Sequence, residues 1–330
     1  MCSESAAMHA YMPKSRPGEE HLLLRLQERL DPAIRLSTGH AMPQPADWDV
    51  LIAGEADLAL LTASARATRL IIPWAGIPTG IAAHCRTLPH LAVHSLHYNA
   101  IPVAEFAMAL LLSVARQVAP HDAQIRRGIW GDRQPGNYGL LLHGRRALML
   151  GYGEIGRRVA QMCRAMGMEV QAIRRSPGRS GAGEETWGPE SLRDLLPNAD
   201  VVVASLPGTP QTQGLLGAQE LALLPSHAVV VNVGRASLFD ETALFEALRD
   251  RRIGGAGLDV WWNYPEDEVN GPPTMPWNLP FETLPNVALS PHRAAFTDRT
   301  GELRVDHLAA MLNALARGGD VPVVDLDQGY

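Results

Sequence analysis

Short apolar runs alternate with polar breaks along the first part of the chain, up to about residue 100. Runs bounded by turn-forming residues predict buried strands, and the amphipathic segments between them predict helices. The clearest runs are DWDVLIAGEADLALL (47–61), TRLIIPWAGIPTG (68–80) and PHLAVHSLHYN (89–99). This alternation predicts a small α/β domain built on a parallel sheet.

A more apolar segment, IPVAEFAMALLLSVAR, follows at 101–116. Its apolar residues recur at the three- and four-residue spacing of one long helix. They are Val103, Phe106, Ala107, Leu110, Leu111 and Val114. Because such a helix is too apolar for an exposed surface, we expect it to lie between domains or in a dimer interface.

The segment 145–176 has the order strand, glycine turn, helix and strand, in the length of one βαβ unit. Four more strand-like runs follow at 199–207, 227–235, 254–261 and 286–292. Each is apolar and ends in polar residues or glycine. This pattern predicts a doubly wound parallel sheet with a ligand site at the carboxyl ends of its strands.

The last helix-like segment, 300–319, has an apolar face and is expected to return to the N-terminal domain. The predicted fold class is therefore α/β, with two Rossmann-like or flavodoxin-like domains. Residues 99–294 are predicted to form the dinucleotide-binding domain, a doubly wound parallel sheet. It is inserted into a smaller, discontinuous substrate domain of residues 1–98 plus 295–330.

Composition narrows the classes of function. The 330 residues carry a formal net charge of −6, which gives no reason to expect nucleic acid or a membrane as a partner. Cys2, Cys85 and Cys163 are far apart, so neither a disulfide framework nor a metal site is expected. The N-terminal segment lacks the features of a signal peptide, and the run at 101–116 is shorter than the ~20 residues of a membrane span. We expect a cytoplasmic protein.

Gly151, Gly153 and Gly156 form a G-x-G-x-x-G motif between the predicted strand and helix of the βαβ unit. The first glycine permits a tight turn, the second lets the backbone approach a pyrophosphate, and the third lets the helix pack on the strand. The N-terminus of the helix then offers N–H groups to the phosphates. We predict a dinucleotide site here, which includes Glu154 and Ile155.

The end of the second strand of this unit distinguishes NAD from NADP. An NAD site usually has an acidic residue there, whereas this chain has Arg174, Arg175 and Ser176, with Arg179 close by. Guanidinium groups bind a 2′-phosphate through charge-assisted hydrogen bonds. We therefore predict that NADP is preferred over NAD. The alternative is that these arginines are simply solvated.

Several longer motifs resemble those of the D-isomer-specific 2-hydroxyacid dehydrogenase family, in the family's order. They are NAIPVAEFAMALLLSVAR, GYGEIGRRVA, ADVVVASLPGTPQTQGLLG, LLPSHAVVVNVGRASLFDETALFEALRDRRIGGAGLDVW and NVALSPH. The match covers nearly the whole chain and is strongest between Asn99 and Ala294. The resemblance implies a homodimeric NAD(P)-dependent enzyme that transfers hydride between the cofactor and a small 2-oxo or 2-hydroxy acid.

The resemblance also implies roles for single residues. Arg235 matches the arginine that holds the substrate carboxylate and carbonyl oxygen, and His292 matches the acid/base. Ala75 and Gly76 match the loop whose backbone receives the carboxylate, and Asp259 matches a residue near the nicotinamide amide. The structural alternatives are an ion pair for the arginine, a structural role for the histidine and a turn cap for the aspartate. Further implied cofactor contacts are Leu206, Pro207, Thr212, Val233 and Gly234.

The glutamate that partners the family's histidine is missing, because the matching position holds Tyr264. A carboxylate raises the pKa of a neighbouring imidazole, whereas a neutral phenol only orients it. The pKa of His292 is therefore expected near the ordinary value of ~6.5. Alternatively, a carboxylate from the following loop replaces the glutamate; the candidates are Glu266, Asp267 and Glu268.

The aromatic residues of the same region have two interpretations. Core packing or a dimer contact is one, and a wall against a large substrate side chain is the other. The residues are Trp261, Trp262, Trp277 and Phe281.

The leading functional hypothesis is an NADPH-dependent reductase that converts a 2-oxo acid to the D-2-hydroxy acid. A second is a formate- or phosphite-like dehydrogenase with a neutral partner for the histidine. Asn99 in YNAIPVAE supports it, because this segment is similar to the formate-contacting segment of formate dehydrogenases. A third is a dinucleotide-sensing protein with little turnover.

Overall fold

The computed structural model describes residues 8–13, 19–130, 138–179, 185–266 and 271–326. The chain divides into two compact units, one of Met1–Asn99 with Thr297–Tyr330 and the other of Ala100–Phe296. Each unit contains a parallel sheet flanked by helices. The predicted α/β fold class is confirmed.

The first unit has a five-stranded parallel sheet in the order β2-β1-β3-β4-β5. Its strands are β1 (Met8–Met12), β2 (Ile34–Thr38), β3 (Val50–Ile52), β4 (Arg69–Ile72) and β5 (Ala92–Ser95). Its helices are α1 (Glu20–Arg29), α2 (Leu58–Thr62), α3 (Thr79–Arg86) and α10 (Thr300–Ala316). The order reverses between β1 and β3, and ligands of such sheets bind at the carboxyl ends of the strands beside this point.

Both faces of the first sheet are covered, which explains the continuous apolar runs in its strands. Val50 and Ile52 face the cluster that α1 and α10 form, whereas Leu51 faces the cluster of α2 and α3. Leu22 of α1 and Leu308 of α10 are buried in the first of these clusters. The final helix of the chain therefore packs on the first helix.

The second unit has a six-stranded parallel sheet in the order β13-β12-β11-β10-β6-β7. Its strands are β6 (Arg146–Leu150), β7 (Glu169–Ile173), β10 (Val201–Ala204), β11 (Val229–Asn232), β12 (Gly255–Leu258) and β13 (Val287–Leu289). A small antiparallel pair, β8 (Gly178–Arg179) and β9 (Glu185–Thr186), follows β7. The remaining helices are α4 (Ala100–Ala115), α5 (Val118–Ile125), α6 (Glu154–Ala165), α7 (Leu192–Leu195), α8 (Ala218–Leu223) and α9 (Glu241–Arg249).

Helix α4 is the apolar helix that the sequence predicts, and much of its apolar surface packs within the second unit. Nine of its 16 residues are buried, and seven of these pack in the core of the second unit with α6 and the sheet. A Cβ on Gly257 would lie 2.8 Å from the Leu110 Cβ, so glycine in β12 lets the helix approach closely. The helix is apolar on several sides because it packs against both a sheet and a helix.

Among the described residues, no single helix is long and apolar enough to cross a membrane. Helices α4 and α5 pass that test only when taken together, and they are bent by 62°. The burial of α4 in the second unit accounts for its apolar composition.

Candidate active site

The predicted site residues of the second unit lie just after strands of the six-stranded sheet. Because all six strands are parallel, their carboxyl ends lie along one edge of the sheet. Gly151 follows β6, Arg174 follows β7, Leu206 follows β10, Arg235 follows β11, Asp259 follows β12 and His292 follows β13. The topology therefore brings six separate motifs to this edge.

The three glycines after β6 have three different roles. Gly151 has a φ of +98°, a left-handed conformation that favours glycine. A Cβ on Gly156 would lie 2.0 Å from the Gly151 carbonyl oxygen, so any side chain there would push the helix away from the turn. A Cβ on Gly153 would meet nothing within 4 Å, and Gly153 is the N-cap of α6. An open space therefore faces the helix N-terminus, as the pyrophosphate of a dinucleotide requires.

Glu154, the first residue of α6, places a carboxylate beside this open space. Its Oε2 accepts a hydrogen bond of 2.6 Å from Arg158 Nη1, and Arg157 also pairs with it. The hydrogen bond from Arg158, with the charges of both arginines, lowers the pKa of Glu154 although burial opposes this. The carboxylate is neutralised locally, so it does not make the helix N-terminus repel an anionic ligand.

The loop after β10 is held by the side chain of Thr212, one of the predicted cofactor positions. Thr212 Oγ1 donates to the Pro207 carbonyl at 2.7 Å and accepts from the Thr209 N–H at 2.9 Å. A Cβ on Gly234 would lie 2.6 Å from the Leu206 carbonyl oxygen, so glycine is needed where this loop meets the end of β11. Val233, before it, is buried and donates its N–H to Ala204 O at 3.1 Å.

The arginines after β7 lie at the edge strand of the sheet. The Arg174 N–H donates to the Trp187 carbonyl at 2.9 Å, which ties the end of β7 to the segment after β9. The Arg174 side chain is half-buried, whereas Arg175 and Ser176 are exposed. The Arg179 side chain lies outside the described part of the chain. Two guanidinium groups at this strand end match the chemistry of a 2′-phosphate.

Arg235 follows a turn that one buried amide holds. Asn232 Oδ1 accepts from the Gly234 N–H at 3.0 Å, and Asn232 Nδ2 donates to the Arg235 carbonyl at 2.9 Å. The Asn232 side chain is buried, while Arg235 is exposed and its Nη1 donates to the Gly234 carbonyl at 2.7 Å. Asn232 is a positioning residue that the sequence analysis did not single out. A polar amide at the end of an otherwise apolar strand is the signal that indicates it.

Asp259 is buried, and its carboxylate holds the segment after β13. Its Oδ1 accepts from Ser290 Oγ at 2.5 Å and from the Arg293 N–H at 2.8 Å. Its Oδ2 accepts from the Ala294 N–H at 3.1 Å. Of the roughly four acceptor positions of a carboxylate, three are therefore used within the protein. The turn-holding interpretation of Asp259 thus has direct geometric support, and its predicted contact with the nicotinamide stays a prediction.

His292 lies inside the segment that Asp259 holds. Its φ is +55°, a left-handed conformation that is uncommon for a residue other than glycine. Its N–H donates to the Ser290 carbonyl at 3.0 Å, and the same carbonyl accepts from Trp261 Nε1 at 2.7 Å. Strained backbone of this kind persists where the surroundings over-determine it, and it clusters at functional sites. His292 is exposed, whereas Asp259, Ser290 and Trp261, which hold its backbone, are buried.

Tyr264 contacts the ring of His292. The two ring centroids are 5.5 Å apart, with an interplanar angle of 55°. The Tyr264 hydroxyl oxygen accepts from the Trp261 N–H at 3.1 Å. The tyrosine therefore joins the network around His292 through its hydroxyl and its ring. Of the alternative carboxylates, Glu266 is described, while Asp267 and Glu268 lie outside the described residues.

The aromatic residues of the same region pack on one another. Trp261 meets Trp277 edge to face at 5.0 Å between ring centroids, and Trp262 stacks on Phe281 at 5.6 Å. Phe281 is fully buried, and all four rings belong to or pack on the core of the second unit. This supports core packing rather than a wall against substrate. In the described part of the chain, no group of three or more His, Cys, Asp or Glu side chains is placed to hold a metal ion.

The sequence profile of the D-isomer specific 2-hydroxyacid dehydrogenase, NAD binding domain, matches residues 108–294, which is more than half of the chain. The chain belongs to this family. The family prediction made from the motifs is therefore confirmed, and the family is of the predicted enzyme class, the NAD(P)-dependent 2-hydroxyacid dehydrogenases.

Three similar proteins show the extent of the similarity. The glyoxylate reductase of Aeropyrum pernix is 39% identical over 223 residues, which cover 65% of this chain and 63% of that enzyme. The match therefore spans less than two thirds of that relative's own length. A D-isomer specific 2-hydroxyacid dehydrogenase from Xanthobacter autotrophicus Py2, in complex with NADPH and MES, has a TM-score of 0.81 at 24% identity. That match covers 98% of this chain and 100% of the other, and it shows a shared fold.

The third relative is an NADPH-dependent glyoxylate/hydroxypyruvate reductase from Sinorhizobium meliloti, in complex with NADP and malonate. It is 25% identical with a TM-score of 0.70, and the match covers 98% of each chain.

The residues predicted to receive the substrate carboxylate belong to the first unit of the chain. Ala75 and Gly76 follow β4 and are half-buried, and Gly76 has a φ of +83°. A left-handed residue in a loop helps successive N–H groups to converge on an anion. Asn99 is half-buried at the end of the same unit. These three positions are described within the first unit, and the Arg235 and His292 positions within the second.

Proposed function

We propose that this chain is an NADPH-dependent reductase of a 2-oxo acid and that its product is the D-2-hydroxy acid. The observation that carries the proposal is the buried network of Asp259, Ser290 and Trp261, which holds His292 in a strained conformation and leaves its imidazole exposed. Such an arrangement fits an acid/base group that must be held in a defined orientation. The names of the Aeropyrum and Sinorhizobium relatives support a 2-oxo acid as the substrate class.

The residues have complementary roles in this reaction. NADPH, when bound, supplies a hydride to the carbonyl carbon. Arg235 binds the carboxylate of the substrate and stabilises the negative charge that develops on the carbonyl oxygen. His292 in its protonated form donates a proton to that oxygen. The open space at Gly153 accommodates the pyrophosphate.

The test is NADPH consumption with a panel of 2-oxo acids, for the wild type and for His292→Gln. We expect turnover by the wild type, a loss in kcat of roughly 100-fold or more in the variant, and a D-configured product by chiral chromatography. The Kd for NADPH, measured by fluorescence, should change less than twofold, because the glutamine replaces a group outside the glycine turn. Full activity of the variant would exclude His292 as the acid.

The preference for NADP is a separate part of the proposal, supported by the two arginines after β7. Because a carboxylate repels the 2′-phosphate and binds the ribose hydroxyls instead, the Arg174→Asp, Arg175→Ser double variant should favour NADH. We expect the ratio of kcat/KM for NADPH over NADH to fall by at least about tenfold, since each charge-assisted hydrogen bond contributes about 1.5–3 kcal/mol. An unchanged ratio would contradict the assignment.

A second candidate function is favoured by the neutral ring of Tyr264 beside His292. A donor such as formate loses hydride without a hydroxyl proton for His292 to remove, so its oxidation needs no acidic partner for that histidine. Reduction of NADP by formate or phosphite, with no activity on any 2-oxo acid, would support it. Tight cofactor binding without turnover on either class would favour a dinucleotide sensor.

The Tyr264→Glu variant tests the role of this position by restoring the acidic residue of the family. A carboxylate beside the imidazole raises its pKa, so His292 would stay protonated to higher pH. Reductase activity, which needs the protonated form, should then extend toward alkaline pH. Tyr264→Phe keeps the neutral ring and serves as the control, whose pH profile should match that of the wild type.

We also propose a homodimer, supported by exposed apolar side chains between residues 101 and 141. The group comprises Ile101, Leu112, Val118, Ile125, Ile129, Trp130, Tyr138 and Leu141. Trp130, for example, is 66% exposed, and clustered exposure of large apolar side chains marks association surfaces. Light scattering coupled to size exclusion should give the mass of a dimer, and Val118→Asp with Ile125→Asp should give a monomer. A monomeric wild type would contradict this proposal.

A further inference from the structure

The first unit contains a cavity of about 470 Å³ that the catalytic roles above do not use. It lies between α1, α10 and the carboxyl ends of β1, β3 and β4. This is the point of the five-stranded sheet where the strand order reverses, which is where such sheets bind ligands. Its lining includes Glu19, Leu23, Glu55, Trp74 and Arg304.

The buried part of the cavity wall is apolar. Leu22 and Leu26 of α1, Ile52 and Ala53 at the end of β3, and Leu308 of α10 all line it and are buried. An unpaired polar group would lose its hydration against this wall, whereas an apolar group would gain free energy by leaving water. The wall therefore selects an apolar occupant.

The charged residues of the cavity lie at its exposed side or are paired. Arg304 of α10 forms an ion pair with Glu19, the residue before α1, and their side chains are 17% and 25% exposed. Glu55 and His40 are exposed. Because the arginine is already engaged, the cavity does not present it as a binding site for a second carboxylate. A charged group of the ligand must therefore bind elsewhere.

Trp74 connects this cavity to the loop predicted to receive the substrate carboxylate. Its side chain lines the cavity, and the next two residues are Ala75 and Gly76. The indole occupies space that only a glycine at position 54 leaves open, because a Cβ on Gly54 would lie 1.7 Å from the Trp74 ring. An apolar cavity and a carboxylate-binding loop are thus joined through one side chain, within one unit.

We propose that this cavity receives the side chain of the 2-oxo acid, and that the chain therefore prefers substrates with a bulky apolar side chain over glyoxylate. Trp74 is the specificity-determining residue. The inference rests on the proposed reductase function. Glyoxylate has no side chain to fill a space of this size, which lies within the ~300–1,000 Å³ range of small-molecule sites. A substrate with its carboxylate at Ala75 and Gly76 has its side chain beside Trp74.

The size of the preference follows from the burial of methylene groups. Each buried methylene increases the association constant by about fourfold, so an isobutyl or benzyl group should give at least a tenfold advantage after imperfect packing. We therefore expect kcat/KM to rise at least tenfold from glyoxylate to 4-methyl-2-oxopentanoate or phenylpyruvate. Most of that rise should come from a lower KM.

Leu23→Trp tests the location, because the enlarged side chain would fill the cavity from α1. Leu24→Trp is the matched control, since Leu24 is the next residue of the same helix, is 60% exposed and does not line the cavity. Leu23→Trp should lower kcat/KM for 4-methyl-2-oxopentanoate at least tenfold and leave that for glyoxylate within about twofold. Leu24→Trp should change neither. The melting temperature and the Kd for NADPH of both variants show that they are folded.

The outcomes separate this inference from the proposed function. Equal or better turnover of glyoxylate by the wild type, or an unchanged substrate ratio in Leu23→Trp, would overturn the inference and leave the reductase function intact. If no 2-oxo acid is reduced, the reductase function fails. Calorimetry with 4-methyl-2-oxopentanoate and NADP then tests the cavity as a binding site. If the oxo acid binds, and Leu23→Trp weakens this binding while Leu24→Trp preserves it, the cavity is supported as the site. If the oxo acid does not bind, the inference is overturned.

Discussion

Two turns at the same edge of the second sheet are built in opposite ways. After β6 the geometry depends on absent side chains, because Gly151 has a φ of +98° and a Cβ on Gly156 would lie 2.0 Å from its carbonyl oxygen. After β13 no glycine is used, although His292 has a φ of +55°. There the conformation is imposed by hydrogen bonds that the Asp259 carboxylate accepts and by one that Trp261 donates, and both residues belong to another part of the chain.

The two turns tolerate different changes, because one depends on glycine and the other is held by hydrogen-bond partners. The glycine turn depends on the absence of side chains, and it tolerates no added atom at its packed position. The turn at His292 tolerates an ordinary residue, but it depends on a buried carboxylate after the neighbouring strand β12. A turn of the second kind can place a reactive side chain at its centre, which a glycine turn cannot.

The largest expected effect comes from an added methyl group in the glycine turn. Gly156→Ala places a Cβ against backbone that cannot shift cheaply, so it should lower the free energy of unfolding by about 3 kcal/mol. Gly153→Ala meets no protein atom within 4 Å and should change stability by less than about 0.5 kcal/mol. It should nevertheless weaken NADPH binding at least tenfold, because its Cβ enters the space proposed for the pyrophosphate. Urea denaturation and fluorescence titration measure the two effects, and equal stability losses in both variants would contradict the distinction.

Removal of the negative charge of Asp259 should come next in size. In Asp259→Asn, an amide NH₂ group replaces one of the two carboxylate oxygens. In one orientation this group faces Ser290 and the Arg293 N–H, and in the other it faces the Ala294 N–H, so a donor faces a backbone donor in either case. We expect a loss of about 2 kcal/mol in the free energy of unfolding, from one lost charge-assisted bond and a buried unsatisfied group. The kcat should also fall, because His292 loses its support.

Asp250→Asn is the control for this variant. Asp250 is exposed and pairs with the adjacent Arg249, so its replacement should change the free energy of unfolding by less than about 0.5 kcal/mol. A similar loss in both variants would mean that the network around His292 contributes no more than an exposed ion pair.

An added methyl group at Gly54, in the first unit, should destabilise the protein less than one at Gly156. Here the added Cβ would meet an indole ring, at 1.7 Å from Trp74, and a side chain can move more readily than backbone. Gly54→Ala should therefore lower the free energy of unfolding by about 1–2 kcal/mol. Gly80→Ala, in α3 and with nothing within 4 Å, should instead raise it by up to about 1 kcal/mol, since alanine favours the helix. A stabilised Gly54→Ala variant would show that the indole moves without cost.

The smallest effect concerns the opposite edge of the second sheet and depends on pH. Burial raises the pKa of Asp200, but hydrogen bonds from the Arg146 N–H and His227, with the charge of Arg145, outweigh it and leave that pKa below its ordinary value. A carboxyl group whose pKa is lower in the folded state stabilises that state above its unfolded pKa, near ~3.9, and loses this effect as the pH falls through the folded pKa.

The Asp200→Asn variant tests this expectation. The difference in the free energy of unfolding between wild type and variant should be largest near pH 6 and should shrink below about pH 4, where Asp200 becomes protonated. Denaturant titrations across this range measure it. A difference that is constant from pH 6 to pH 3 would mean that the charge of Asp200 contributes nothing.

Much of the fold follows from patterns that lie within single segments. The helical spacing at 101–116 predicts α4 almost residue for residue, as Ala100–Ala115, and the apolar face at 300–319 predicts α10 at Thr300–Ala316. Strand β1, Met8–Met12, was not predicted, because five residues with a mixed pattern carry too little periodicity. The packing of α4 in the core of the second unit was not predicted either, since its apolarity shows that it is buried but does not show what buries it.

The sequence by itself determined the α/β class, the glycine turn, the arginines after β7 and the positions of Arg235 and His292, because these depend on conformation and spacing within short stretches of chain. Only the tertiary structure decided that Asp259 holds Ser290 and Ala294, and that Trp74 lies over Gly54 at the wall of an apolar cavity. These are contacts between segments far apart in the chain. They exist because strand pairing and core packing bring those segments together, and no local pattern records which side chains will then meet.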